Sequence, residues 1–402
     1  MRNVLLLQGP VGPFFKVLSK YLRLKVNVNV QQITFNGGDH HFSDKKNSTA
    51  YTGHSSDWSN YLSTYVISEK ITDIIVFGDC RYYHREAKKI ADELSISFWA
   101  FEEGYLRPSF ITLEKNGVNG NSLFDFDKLQ TELDSDKNEK KKEVNQESML
   151  LLKRSFLYMS FHASIYYFFK LFYANRYKNY IHHRPWHVFE ETASWIKSGI
   201  RKVKYNTQES TLKKLLEGEL SGKYFLAPLQ VSVDSQILYH SPYGSIEEFI
   251  GDVIKSFAHN ADKNDFLVFK HHPMDRGFNH YAGYIKKLCY AYDVGGRVLY
   301  VHDLHLPTLL KNAKGTITVN STVGLSSLHH DVPTKALGCA VYNIDGITSQ
   351  KSLNDFWLSC CKPCKIKFNQ FKKSLLIANQ IPGSFYQKQE LTLQAVAGKF
   401  LI

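Results

Sequence analysis

No stretch of this 402-residue chain is both long enough and free enough of charge to cross a bilayer. The opening apolar run, residues 1–8, stops at Gly9, which is the length of a buried strand and too short for a secretory signal. Cysteine is scarce. The six residues Cys80, Cys289, Cys339, Cys360, Cys361 and Cys364 are irregularly spaced, which excludes a disulfide framework and suits a reducing cytoplasm. Cys361 and Cys364 form a lone CxxC with no second pair, too little for a zinc or redox centre. No RNA-binding signature occurs, and the lysine run 140–142 is diluted by acids, so nucleic acid is not an expected partner. There is no internal repeat.

What the chain does have is a globular composition, 43% apolar and 22% charged. Its length suits two α/β domains of about 150–200 residues each. A net charge of +12 calls for acidic company, either an anionic lipid or a nucleotide-activated acidic sugar. The 24 Tyr and 27 Phe suit sugar stacking or interfacial contact as well as large cores.

The first part alternates strand and helix: strand 4–8, a tight Gly-Pro loop, a helix over 14–22 opened by Pro13, and strand 26–34 ending in a turn at 36–39. Strand 71–77, helix 81–94 and strand 97–101 follow, a spacing that argues a parallel sheet. Residues 125–146 break the pattern and read as a solvated loop or mobile charged insertion centred on 130–147. A second α/β unit opens at strand 223–228. It continues through helix 246–258, strands 265–269 and 298–301, helix 306–312, strand 315–319 and helix 323–330. A last helix near 391–401 is expected to pack back on the first domain. The domain boundaries expected are 1–149, an aromatic and basic segment 150–221, 222–380, and 381–402.

Residues 150–184 are dense in rings (Phe156, Tyr158, Phe161, Phe168, Phe169, Phe172) and carry Lys153, Arg154, Lys170, Arg176, Lys178, His182, His183 and Arg184. Such a segment can lie in the headgroup region of an anionic bilayer. The plain alternative is a pair of helices whose rings are core.

Six short motifs follow strand ends, where α/β folds put function. Gly9 and Gly12 lie in the loop before the first helix, where glycine lets a ligand approach the backbone. Phe77-Gly78-Asp79 ends the strand over 71–77. Glu102 and Glu103 precede Gly104 and Arg107. Adjacent strand carboxylates point opposite ways, so one can face a cleft as general base while the other holds Arg107 or a backbone donor. A salt-bridged turn is the alternative. Lys270-His271-His272-Pro273 ends another strand, and a histidine there can donate to a phosphate or be a satisfied structural residue. Asn320-Ser321-Thr322 precedes a helix, so its hydroxyls either cap that helix or cradle an anion. Gln230 and Asp234 follow the first strand of the second unit, where a carboxylate can act as a nucleophile on an anomeric carbon, though taken alone Asp234 reads more readily as a structural residue.

Taken in order, the motifs 8–15, 77–79, 102–107, 228–230 with 234–236, 270–273 and 320–322 resemble those of the capsule-polysaccharide β-Kdo transferase family, of the KpsS/KpsC type. The resemblance spans roughly residues 4 to 338. It implies a GT-B glycosyltransferase of two Rossmann-like domains with an interdomain cleft. The implied donor is CMP-Kdo, and the implied acceptor is a phosphatidylglycerol-type lipid or a Kdo already on it. Asp234 would be the nucleophile of a retaining double displacement, with Glu103 as acid/base assisted by Glu102. Lys270, His272, Pro273, Asn320, Ser321, Thr322 and Gln230 would bind the nucleotide donor, and Gly9, Gly12, Asp79 and Arg107 would line the acceptor side. Glu103 stands where relatives often carry Asp, which lengthens the reach of the base. The single-unit length favours the enzyme that adds the first Kdo. No cofactor or metal is implied. The location implied is the cytoplasmic face of the inner membrane, alongside other capsule biosynthesis and export proteins. Two rival readings are a sialyltransferase-like enzyme using another CMP-sugar and a basic, non-enzymatic lipid-binding protein.

Overall fold

A computed structural model describes residues 2–135, 155–182, 188–387 and 389–400. It divides the chain into two compact units, Met1–Pro185 with Lys372–Ile402, and Trp186–Phe371. The segment 150–221 is thus shared: its described residues up to 182 belong to the first unit and those from 188 to the second.

The first unit is built on a seven-stranded sheet: β1 (Asn3–Leu6), β2 (Asn29–Thr34), β3 (Ser48–Ala50), β4 (Asp73–Phe77), β5 (Ser97–Glu103), β6 (Phe110–Lys115) and β12 (Gln380–Pro382), in the order β12-β6-β5-β4-β1-β2-β3. From β3 to β5 the pairing is parallel, while β6 runs antiparallel to both β5 and β12. Both faces are covered, as a parallel sheet requires. Leu5 and Leu7 enter one core with Ile33, Ile74 and Val76, whereas Val4 and Leu6 enter the other with Phe14, Leu18 and Phe101. The helix Phe14–Lys25 supplies the last contacts from Phe14, Phe15, Leu18 and Leu22. The helix Gln389–Phe400 packs on the same face through Leu393 and Val396.

Three expectations are corrected. β2 begins at Asn29, because Val26 still caps the preceding helix and Asn27 turns the chain with a positive φ of 55°. Residues 36–39 start a short helix, Gly37–His41, whose N-cap Asn36 accepts from the amides of Gly38 and Asp39. The proposed insertion near 130–147 is helical up to Ser135, within the helix Phe126–Ser135. Gln130 there donates to Ser374 Oγ at 2.6 Å. Residues 136–147 lie outside the described residues.

The second unit holds a five-stranded, wholly parallel sheet: β7 (Tyr224–Pro228), β8 (Phe266–Lys270), β9 (Val298–Val301), β10 (Gly315–Thr318) and β11 (Thr334–Ala336), in the order β11-β10-β7-β8-β9. Phe225, Ala227, Leu267, Phe269 and Ile317 face one core, and Tyr224, Leu226, Val268 and Val301 face the other. The chain winds from β7 to β8 and β9 on one side, then crosses to β10 and β11 on the other. The loops after β7 and β10 therefore flank the topological switch point, where doubly wound sheets bind ligands.

Candidate active site

At that switch point Gln230 and Asn320 brace the two loops against each other. Gln230 Nε2 donates to Asn320 Oδ1 at 3.1 Å, and the Asn320 amide returns a bond to Gln230 Oε1 at 3.3 Å. Asn320 Nδ2 also donates to the carbonyls of Gln236 and His240, at 2.9 and 3.0 Å. Asp234 sits half-buried on the β7 side, where its Oδ1 accepts from the Gln236 amide at 3.0 Å, the bond of an N-cap for the short helix Ser235–Leu238. Ser321 Oγ accepts from the Val323 amide at 3.2 Å and so caps the next helix, whereas Thr322 occupies the N-cap position with no capping bond from its side chain.

The loop after β8 carries the histidines. His272 Nδ1 accepts from the Met274 amide at 3.2 Å. An acceptor nitrogen carries no proton, so the neutral ring is protonated on Nε2, which makes that nitrogen the donor. Pro273 is exposed beside it. Lys270 is buried, its ammonium donates to the His302 carbonyl at 3.1 Å, and burial lowers its pKa. His271 is fully buried against Tyr300 Oη, at 2.6 Å from Nδ1, and burial followed by the nearby His302 pushes it down to about 3. It is a structural neutral histidine.

Two carboxylates with no motif around them fasten loops at these strand ends, Asp275 the loop after β8 and Glu209 the loop after β9. Asp275, wholly buried, accepts from Ser232 Oγ (3.2 Å), Asn279 Nδ2 (3.0 Å) and Tyr281 Oη (3.1 Å), tying the β7 loop to the β8 loop. Glu209 accepts from the His302 ring (2.8 Å) and from the amides of His302 and Asp303 (2.7 and 2.9 Å). Burial alone would raise its pKa, but these donors outweigh burial and hold it below the usual carboxylate range. Neither residue stood out in the sequence: Glu209 bonds residues 93 and 94 positions away, and Asp275 joins its neighbours Asn279 and Tyr281 to Ser232, 43 positions away.

The first unit holds the other group of expected residues. Glu102 and Glu103 end β5, and Glu102 Oε1 accepts from the Glu103 amide at 3.0 Å. Burial, then the charges of Glu103 and Asp79, push Glu102 up to about 7, against the opposing pull of that amide bond and Arg107. Glu103 is also raised by burial, against the opposing pull of Arg107. Arg107 is exposed and its Nε donates to the Gly104 carbonyl at 3.1 Å. Asp79 is buried; its Oδ2 accepts from the Val118 amide and Asn121 Nδ2, both at 3.0 Å, so it fastens the loop that follows β6. The space at Gly9 is taken by the Phe15 ring, which would lie 2.7 Å from a Cβ there, and Gly12 adopts a φ of +125° that suits glycine.

A buried network also lies behind this loop, and no motif announced it. Gln8 Nε2 donates to Asp39 (3.1 Å), Tyr166 Oη (3.1 Å) and Tyr180 Oη (2.9 Å), and Tyr166 Oη donates to Asp39 at 2.8 Å. Burial raises the Asp39 pKa against these donors. The network binds the aromatic helix Ser155–Phe172 to the sheet. Close approach is possible only because residues 37 and 38 are glycines: a Cβ at Gly37 would lie 2.0 Å from the Phe169 carbonyl oxygen.

Glu102 yields a stability test. Its folded pKa near 7 lies above the unfolded value, so the group favours folding at low pH and loses that contribution as pH rises through 7. Glu102→Gln mimics the protonated form. Its melting temperature is expected to match the wild type at pH 4.5 and to exceed it at pH 8 by several degrees, from about 1–3 kcal/mol. A difference that does not grow with pH would contradict the assignment.

Two compact units in one chain, each with parallel strands and polar loops at their C-terminal ends, define a two-domain α/β protein of Rossmann-like units. The chain belongs to the capsule polysaccharide biosynthesis protein family, whose profile matches residues 72–386. It is 39% identical to the capsule polysaccharide export protein KpsS of Escherichia coli over 386 residues, covering 96% of this chain and 97% of the relative. It is 38% identical to the capsule polysaccharide modification protein LipB of Neisseria meningitidis serogroup A over 391 residues, 96% of this chain and 92% of the relative. Among solved structures, KpsC of Thermosulfurimonas dismutans, a β-Kdo 2,7 transferase, matches over 98% of this chain and 99% of its own with TM-score 0.48 and 11% identity.

Proposed function

We propose that this chain is a retaining glycosyltransferase that moves β-Kdo from CMP-Kdo to a phosphatidylglycerol-type lipid, beginning the poly-Kdo linker of a capsular glycolipid. The observation that carries the reading is the switch point of the second unit, where the braced β7 and β10 loops bear Asp234, Ser321 and Thr322 and the adjoining loop bears His272. Family membership and the order of the motifs support the same class of chemistry.

In the first step an Asp234 carboxylate oxygen attacks the anomeric carbon, and the bond from that carbon to the phosphate oxygen breaks as CMP leaves. A phosphate leaves without needing a proton, but it needs its charge met; His272 Nε2–H and the Ser321 and Thr322 hydroxyls donate to it. In the second step Glu103 takes the proton of the acceptor hydroxyl, whose oxygen attacks the same carbon and releases Asp234. Two inversions give retention. A carboxylate raised by burial holds and releases a proton closer to neutrality than an exposed one does.

The lipid acceptor is supported by the helix Ser155–Phe172. Its Tyr166 faces the sheet, while Tyr158, Phe161, Phe168 and Phe172 are 49–69% exposed on another face. Exposed Arg176 and Lys178 follow it. Lys153, Arg154, His183 and Arg184 lie outside the described residues. No described helix is long and apolar enough to cross a membrane.

His272→Ala is expected to weaken CMP binding by about 1.5–3 kcal/mol, the loss of a hydrogen bond to a charged group. Calorimetry checks it, and unchanged affinity would remove His272 from the donor site. The function itself is tested by CMP release from CMP-Kdo with and without phosphatidylglycerol vesicles, beside CMP-sialic acid as a control. Lipid-dependent release from CMP-Kdo alone is expected. No release, or release only from the control, would overturn the reading.

A further inference from the structure

The helix Val188–Gln208 of the second unit is inside out. Its polar side packs inward. Ser198 is buried, Arg201 Nη1 donates to the Arg276 carbonyl at 2.6 Å, and the Tyr205 ring stacks on His302 at 3.7 Å. Close contact extends to the backbone, since a Cβ at Gly277 would lie 2.0 Å from the Ser194 carbonyl oxygen. These four helical positions recur every three or four residues and so share one face. The opposite face carries Ile196, Ile200 and Val203, exposed by 63, 67 and 73%. An amphipathic helix that buries polar groups and presents a run of β-branched aliphatics to solvent is built to be covered by something else.

Charge decides what covers it. Between Ala193 and Gln208 there are four cations and no Asp or Glu. On the helix Lys197 and Lys204 border the apolar stripe on one side, while Lys202 lies further round, between the other side and the inward face. Trp195, 43% exposed, sits beside Lys202. The helix's Glu190 and Glu191 lie in its first turn, before the apolar stripe begins. Across residues 193–208 a second copy related by two-fold symmetry would therefore bring lysines against lysines with no carboxylate to meet them. An aliphatic stripe edged by lysines and an indole is instead the pattern of a helix lying at the surface of an anionic bilayer. We infer that the helix Val188–Gln208 docks on an anionic membrane surface, with Ile196, Ile200 and Val203 among the acyl chains and the lysines among the phosphates. This contact belongs to the second unit and uses no residue of the proposed active site. It shares with the catalytic reading only the membrane.

Sedimentation of the full chain with vesicles tests it without any catalytic readout. Wild type is expected to bind vesicles of phosphatidylcholine with one-third phosphatidylglycerol, and phosphatidylcholine alone far less. The Ile196→Ser, Ile200→Ser, Val203→Ser variant alters only exposed side chains, so it should melt like wild type and yet lose most of the binding. The Lys197→Glu, Lys202→Glu, Lys204→Glu variant is expected to bind the anionic vesicles on the order of a hundredfold more weakly, with wild-type binding falling as salt rises. Undiminished vesicle binding by both variants would overturn the inference. So would concentration-dependent dimerisation of wild type that the serine variant abolishes, since a second copy would then be the occupant. Loss of binding in the variants, with CMP release on a soluble acceptor unchanged, would support it. Absence of CMP release in wild type that still binds vesicles through this helix would count against the catalytic reading alone.

Discussion

Asp234→Asn is expected to abolish Kdo transfer, by at least about a thousandfold, while the protein folds and binds CMP as before. Asparagine is chosen because Asp234 has a second occupation. Its Oδ1 caps the short helix Ser235–Leu238 through the Gln236 amide, and asparagine caps a helix about as well as aspartate does. Asp234→Ala would remove the cap too, at about 1 kcal/mol, and so confound chemistry with stability. An N-capping role alone leaves the asparagine variant active, whereas a nucleophile cannot be replaced by an amide. Comparing the two variants therefore separates the readings: full activity in Asp234→Asn would leave Asp234 as a structural residue only.

Glu103→Gln is expected to lower transfer by about 10²–10⁴, the usual contribution of a positioned base. The loss should fall on the second step, because departure of CMP needs no proton and deprotonation of the acceptor hydroxyl does. The sugar should then accumulate on the protein, and digestion with mass spectrometry should find it on the peptide that contains Asp234. The pH profile carries a sign as well. Burial raises Glu103, so its basic form gains population at higher pH than an ordinary glutamate's. Wild-type transfer should climb as pH rises through that range, and the glutamine variant should lose the climb. A variant with an unchanged pH profile would place the base elsewhere.

The strands β1, β2, β4, β5 and β7 to β10 were legible because parallel strands buried on both faces read as short apolar runs, as in Ile74, Ile75 and Val76. The three-residue strands β3, β11 and β12 are too short to carry such a pattern. The antiparallel return of β6 was not legible either. It depends on the hairpin after Glu103 and on pairing with β12, more than 260 residues downstream, where Ile381 faces Ile111. Motif residues were legible by kind but not by partner. Gln230 and Asn320 were expected at the nucleotide, and they brace each other. Asp79 was expected on the acceptor side, and its Oδ2 is occupied by Val118 and Asn121. Asp39, Glu209 and Asp275 had no signature at all, because a buried carboxylate is defined by donors that only the fold assembles. The aromatic segment divided itself: Tyr166 is core, and Phe161, Phe168 and Phe172 are not.

One measurement tests the central claim most directly. The purified wild-type chain is incubated with CMP-Kdo and phosphatidylglycerol, and the lipid is analysed by mass spectrometry and by NMR of the anomeric centre. The account predicts phosphatidylglycerol carrying a single β-linked Kdo. An unmodified lipid would contradict the transfer, and an α-linked product would contradict the double displacement through Asp234.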